Sequence, residues 1–297
     1  MLKFLLNKLF LADKWNIGVV DQSIGNLIEK KELNAIEWLK EDTADYAADP
    51  FIVNVGNQIK IYYEELNFWH GRGEIMVMEN LDFKTKHKVG GIRPSSIHLS
   101  YPYLIVKEQY LYCIPETSKA KEVVLYQVDA LNPAQLTQRK VLLSGMPFVD
   151  SSIVFYAAKY WLFTSISGIS SQLYIFSSTT LDGHYKAHPL NPIAVEKQAC
   201  RSAGSIFVWE GSIYRPTQNP VNCYGGSIHI NKITVLTENE YKAETVFEIF
   251  PDKNYPHGIH HISFAHNKIV VDGKRKVFDL LMPIKKMVKI IRITLQA

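Results

Sequence analysis

Two aspartates introduce short apolar runs in the same way. Asp49 opens the phrase ADPFIV and Asp150 opens VDSSIV, while Glu116 closes a related phrase at IPETS. Carboxylates that meet in one cleft can divide acid and base work: one stays neutral and donates a proton to a leaving oxygen, and the other stays ionised and activates water or attacks carbon. At a glycosidic bond, a gap of roughly 5–5.5 Å between the pair gives retention, and about 6.5–9.5 Å leaves room for an inverting water. Around this trio, His98, Arg201, Arg215, His257 and His260 could hold hydroxyls or an anionic substituent, and Tyr101 and Tyr224, with Trp69 and Phe148, could stack on sugar faces. Each residue also has a plainer reading. Asp-Pro suits the entry to a strand, Asp150 before Ser151 and Ser152 could satisfy local amides, and Glu116 could pair with Arg215 or a lysine. The run PHGIHH invites a metal, but His257, His260 and His261 have loop spacing and no carboxylate beside them in sequence. We therefore expect no metal there.

Residues this far apart need a repeating scaffold to bring them together. One phrase recurs: a small or polar opening, a short apolar strand, a polar turn and an aromatic-rich second strand. It reads ADPFIVNVGNQIKIYYEE from Ala48, SYPYLIVKEQYLYCIPET from Ser100, VDSSIVFYAAKYWLFTS from Val149 and SAGSIFVWEGSIYRPTQ from Ser202, with a weaker copy, HHISFAHNKIVVDG, from His260. Aligning the apolar runs makes Asp49, Tyr101, Asp150, Ala203 and His260 equivalent, at separations of 52, 49, 53 and 57 residues. A period near fifty suits a four-stranded propeller blade. The segments GEIMVMEN, EVVLYQVD, SQLYIFSS and SIHINKITVL read as third strands, and KWNIGVV at 14–20 as the strand that closes the ring with the last blade. Residues 22–40 read as a short helix or an irregular crossover. A β-sandwich would also hold many short strands, but it would not repeat one two-strand phrase.

The expected fold is therefore all-β: a five-bladed β-propeller with a short N-terminal helix or crossover. It forms a single domain over 1–297, with its core at about 14–282 and basic, apolar extensions at both ends. In each antiparallel hairpin the start of the first strand and the end of the second share one face of the ring. That face collects Asp49, Tyr101 and Asp150 with Glu64, Glu65, Glu116, Thr164, Ser165 and Arg215, and the histidines of PHGIHH approach it from the last blade.

Composition agrees. With 47% apolar residues, 16 Gly and 13 Pro, the chain is neither disordered nor collagen-like. A net charge of only +4 disfavours a nucleic-acid partner. Cys113, Cys200 and Cys223 form no disulfide framework and suit a reducing cytoplasm. No Walker lysine, GxGxxG helix start or GxSxG elbow is present, so no cofactor is expected. The ends, MLKFLLNKLFLADKW and MPIKKMVKIIRITLQA, mix lysines with apolar residues. They either pack on the domain or form a peripheral contact with anionic membrane.

Taken together, ADPFIV, HLSYPYLIV, IPETS, DSSIV, LYIFSSTTLDGHYKAHPLNPI, YGGSIHINKIT and HGIHHISF resemble the N-terminal domain family of plant glucosamine inositolphosphorylceramide transferases, from about KWNIGVV to VDGKRKVFD. Those transferases carry a separate glycosyltransferase domain with no counterpart in this sequence. More distantly, the chain is similar to five-bladed glycoside hydrolases such as arabinanases, β-xylosidases and fructosidases. That similarity implies Asp49 as base or nucleophile, Asp150 as the modulator of the acid's pKa and Glu116 as the acid. The expected function is a glycosidase-like or transglycosylase-like activity on a carbohydrate or glycolipid. The alternatives are a non-catalytic glycan-recognition module beside a sugar-modifying enzyme, and a propeller scaffold without a sugar site.

Overall fold

The computed structural model describes residues 9–41, 43–55 and 58–295. The first strand, β1 (Leu11–Asp21), is followed by the seven-residue helix α1 (Ile24–Lys30) and the short β2 (Glu37–Trp38). Ser23 caps α1 by accepting the Asn26 N–H at 3.2 Å. Thereafter the chain repeats. The strands β3 (Tyr46–Val55), β4 (Gln58–Asn67), β5 (Arg72–Glu79) and β6 (His87–Lys88) make one antiparallel meander. The next is β7 (Ser100–Lys107), β8 (Tyr110–Thr117), β9 (Glu122–Val128) and β10 (Leu136–Ser144). A third runs through β11 (Phe148–Tyr156), β12 (Lys159–Ile166), β13 (Gln172–Ser178) and β14 (Lys186–Ala187), with β15 (Ile193–Ala194) also on β13. The fourth is β16 (Phe207–Trp209), β17 (Ser212–Asn219), β18 (Ser227–Leu236) and β19 (Tyr241–Ile249). Finally β20 (Ile262–Ala265) and β21 (Lys268–Phe278) join β1 and β2, and the helix α2 (Met282–Leu295) follows.

The ring is closed by β1, which pairs antiparallel with β21 along its whole length, Leu11 opposite Phe278 and Asp21 opposite Lys268. KWNIGVV thus has the closing role expected of it. The packing shows the same cycle. Cys113, Val124 and Tyr126 of the second meander meet Val53, Tyr62 and Ile75 of the first. Separate apolar clusters join the second meander to the third, the third to the fourth, the fourth to the strands around β21, and those back to the first. Successive side chains of a strand point to opposite faces, so an inner strand must be apolar on both. In β4, Ile61 and Tyr63 pack toward β1 and β21 while Tyr62 packs toward the second meander. That explains the aromatic-rich second strands of the repeat.

Where each repeat opens, the ladder slips. The β3–β4 register shifts between Ala48 and Phe51, β7–β8 between Ser100 and Tyr103, and β11–β12 between Val149 and Ser152. Inside each shift sits one residue with left-handed backbone: Asp49 (φ 52°), Tyr101 (φ 44°) and Asp150 (φ 50°). These are β-bulges, which re-aim a side chain out of the pleat. The fourth copy carries Gly204 (φ 113°), so the left-handed position falls one residue after Ala203, with which Asp49 was aligned. A Cβ on Gly204 would lie 1.9 Å from the Ile262 carbonyl oxygen. Gly204→Ala should therefore cost roughly 2–4 kcal/mol. Gly211→Ala, at φ 74° with no atom within 4 Å of the new Cβ, should cost about 1 kcal/mol. Urea unfolding of the two variants measures the difference, and equal losses would remove the steric account of Gly204.

Candidate active site

The bulged residues converge. Asp150 is 3% exposed and receives both arms of Arg201, Nε at 2.5 Å from Oδ2 and Nη2 at 3.1 Å from Oδ1. Glu116, at the end of β8, lies directly beside it: the Asp150 N–H donates to Glu116 Oε2 at 3.2 Å, and the Ser118 hydroxyl to Oε1 at 3.0 Å. Asp49, 6% exposed, faces two histidines, with His261 Nδ1 3.4 Å and His260 Nε2 3.7 Å from its Oδ1. Arg201 is paired with Asp150, which Glu116 adjoins, and its charge also acts on Glu116 and on Asp49.

Asp272 organises the far wall. Fully buried in β21, its carboxylate accepts the N–H groups of His260 and His261 at 3.0 Å each and that of Asp49 at 3.2 Å. It also stands 2.6 Å from His260 Nδ1. The His260 ring lies 4.2 Å, centroid to centroid, from Trp15 and 5.4 Å from Tyr224. Lys274 Nζ sits 5.2 Å from the Trp15 ring and donates to the Tyr224 carbonyl. At the rim, the Arg201 guanidinium lies over the Tyr224 ring at 5.9 Å. Tyr224 is half-exposed, yet burial pushes its hydroxyl up, and the charges of Asp49, Asp150 and Glu64 all reach it. Its ring stands at the solvent edge of the cluster, between Arg201 and His260. His98 also lies close: its Nδ1 accepts the Gly73 N–H at 2.8 Å, and its Nε2 faces Glu64 Oε1 at 3.3 Å.

Electrostatically the carboxylates part company. Burial, with the neighbouring Asp150 charge, pushes Glu116 up to about 8 against the pull of Arg201 and its two hydrogen bonds. Burial also opposes ionisation of Asp49, but His261, His260 and Arg201 overcome it and hold that group down at about 2. His260 is likewise raised, burial being outweighed by Asp272 and Asp49. Near neutral pH Glu116 is therefore neutral while Asp49 is ionised. Asp49, His260 and Asp272 also offer one ligand atom each within 4.8 Å of one another, a geometry that a cation could bridge. The loop spacing of PHGIHH gave no reason to expect it, because its acidic members come from β3 and β21.

Three expected substrate contacts, Tyr101, Phe148 and Arg215, are buried in the protein instead. Tyr101, 1% exposed, spends its hydroxyl on protein, 2.9 Å from Ser152 Oγ and accepting the Gly204 N–H at 2.9 Å. It is a post beneath the cluster, not a sugar platform, and Phe148 is likewise in the core. Arg215, also 1% exposed, donates to the carbonyls of Ala199 and Cys200 at 2.9 and 2.6 Å and holds the loop that carries Arg201. It is not paired with Glu116. His257 is exposed, and its backbone N–H is fixed to the Lys274 carbonyl at 2.9 Å. Sequence reasoning missed Asp272, Lys274, Trp15 and Gln218, whose amide nitrogen lies 3.5 Å from Asp150 Oδ2. A lone Asp in the middle of KIVVDGK was the available signal, since an acid buried in an inner strand must be paired.

Because Glu116 is more easily protonated folded than unfolded, the stability it contributes is complete below its ordinary value near 4.5 and lost as pH rises through about 8. Glu116→Gln should thus melt a few degrees above the wild type at pH 9, with the gap closing toward pH 4.5. A gap independent of pH, in parallel thermal melts, would contradict the raised acid.

Residues 38–258 match the family described as glucosamine inositolphosphorylceramide transferase 1, N-terminal. The chain belongs to that family. Glucosamine inositolphosphorylceramide transferase 1 of Oryza sativa subsp. japonica is 34% identical over 207 residues, and that of Arabidopsis thaliana 31% over 208. Each alignment covers 67% of this chain but only 28% and 27% of the relatives, so the chain spans little more than a quarter of the transferases it matches. Among solved structures, an α-L-arabinofuranosidase from Podospora anserina in complex with cellotriose superposes with a TM-score of 0.56, at 11% identity over 80% of this chain and 93% of that one. The α-L-arabinanase of Cellvibrio cellulosa, complexed with arabinohexaose, gives 0.53 at 13% identity, covering 72% and 84%. These likenesses establish the β-propeller fold.

Proposed function

We propose that the five four-stranded groups are the blades of one propeller domain whose recess binds a carbohydrate or the sugar of a glycolipid and cleaves or transfers a glycosidic bond. The observation that carries this reading is the split between Glu116, at about 8, and Asp49, at about 2, under one Arg201. Pairs of carboxyls driven apart in this way supply the acid and base of glycoside chemistry. Glu116 protonates the leaving oxygen. Asp49, ionised and backed by His260 and His261, activates water or attacks the anomeric carbon. Asp150 keeps Glu116 protonated by its charge and is itself held by Arg201. Arg201, Tyr224 and His98 line the approach and contact sugar hydroxyls. The free thiols Cys113, Cys200 and Cys223 are in keeping with a cytoplasmic setting beside a sugar-modifying enzyme.

A recognition module without turnover is the second reading. It is favoured by the Arg201 pairing of Asp150 and by the two histidines that already face Asp49, since carboxylates with such partners are weaker bases and nucleophiles.

A panel of aryl glycosides, assayed with wild type and Asp49→Asn, decides between the two. Turnover should fall about a hundredfold or more in the variant. Rates that survive the substitution would exclude Asp49 from the chemistry, and glycan-array binding with no turnover by either protein would select the module. If hydrolysis is found, its rate should decline as pH rises through about 8, where Glu116 loses its proton. An alkaline limb unchanged in position by Arg201→Gln would disconnect that limb from Glu116.

A further inference from the structure

We infer that α2 is an interfacial anchor that seats this end of the ring on an anionic phospholipid surface. The helix MPIKKMVKIIRITL contains four basic residues and no acid. Ile284, Met287 and Ile291 recur at spacings of three and four and so share one face. They and the preceding Phe278, Leu280 and Leu281 are between 46% and 71% exposed. An exposed apolar stripe on a helix whose sequence is basic and free of acids matches the boundary between acyl chains and anionic headgroups, where both features contribute to binding. None of the helices among the described residues is long and apolar enough to cross a membrane, so the contact is with one leaflet.

The docking of the helix gives the surface its direction. Met282 packs with Leu66, Phe68 and Ala12, and Lys285 Nζ reaches Asp45 Oδ1 at 3.1 Å and Asp279 Oδ2 at 2.9 Å. Asp45 directly precedes β3, and Leu66 lies opposite Tyr46 in the β3–β4 register. That is the end of the hairpin that carries Asp49 and Glu64, while the β3–β4 turn lies at the other. The anchor is therefore fixed at the recess end of the ring. Its consequence, that the recess meets sugars carried on headgroups, rests on the reading of the recess given above; the membrane contact itself does not.

Flotation of the full chain with phosphatidylcholine vesicles, with and without phosphatidylserine, tests the anchor. The wild type should bind the serine-lipid vesicles and be weakened by salt. Ile284→Asp with Met287→Asp should lower partitioning about a hundredfold, tenfold for each buried side chain. Leu131→Asp, at a 97% exposed position between β9 and β10, should leave it unchanged. Circular dichroism verifies folding of each variant. Absence of binding to serine-lipid vesicles, or equal binding by the double variant, would overturn the proposal. So would a wild-type dimer that the double variant makes monomeric without any change in lipid binding, since a second copy would then cover the stripe. Soluble-glycan binding and turnover, measured without vesicles, report on the recess independently.

Discussion

One extra residue at the mouth of β3, β7 and β11 is the constraint on which the rest depends. A strand in register would send the side chains of Asp49 and Asp150 into the apolar space between neighbouring sheets, where an unpaired carboxylate is expensive. The left-handed residue turns the chain out of its pleat and gives the acid somewhere else to point. Asp tolerates this backbone better than most residues because its short side chain bonds locally; Tyr101 does not, and its place is secured by hydroxyl contacts that tie the second repeat to the third and fourth. Fold and site are thus one device: the irregularity that weakens the ladder creates the recess.

How far the sequence reveals this depends on whether a residue's neighbours are close in the chain. The repeat was legible because each inner strand is apolar on both faces, leaving an aromatic-rich phrase that recurs at a spacing set by blade size. Asp49, Asp150 and Glu116 stood out because they occupy the same edge of that phrase. Tyr101 and Arg215 occupy comparable edges, yet the structure turns them inward. Sequence gives a residue's position along a strand, not the side on which its polar atoms find partners. Asp272 was hidden for the opposite reason: its partners, the amides of Asp49, His260 and His261, come from both ends of the chain. The shift from Ala203 to Gly204 has the same root, since a bulge moves the equivalence by one residue without disturbing the apolar pattern.

Arg201 has an ambivalent part. It neutralises Asp150, yet its field also lowers Asp49 and opposes the rise of Glu116. One guanidinium whose charge acts on both Glu116 and Asp49 links the proton on the first to the charge on the second. Arg215, though buried behind it, shares in this by fixing the loop from which Arg201 reaches over.

Ring closure by β1 and β21 has a consequence for biosynthesis. The strand that receives Leu11–Asp21 comes some 250 residues later, and the Asp272 that fixes Asp49 lies on it. A nascent chain can assemble its middle meanders as they leave the ribosome, but β1 must wait, without its main partner, until β21 has emerged. Ribosome-bound chains that have not yet exposed β21 therefore lack the wall against which Asp49 and the histidines are set.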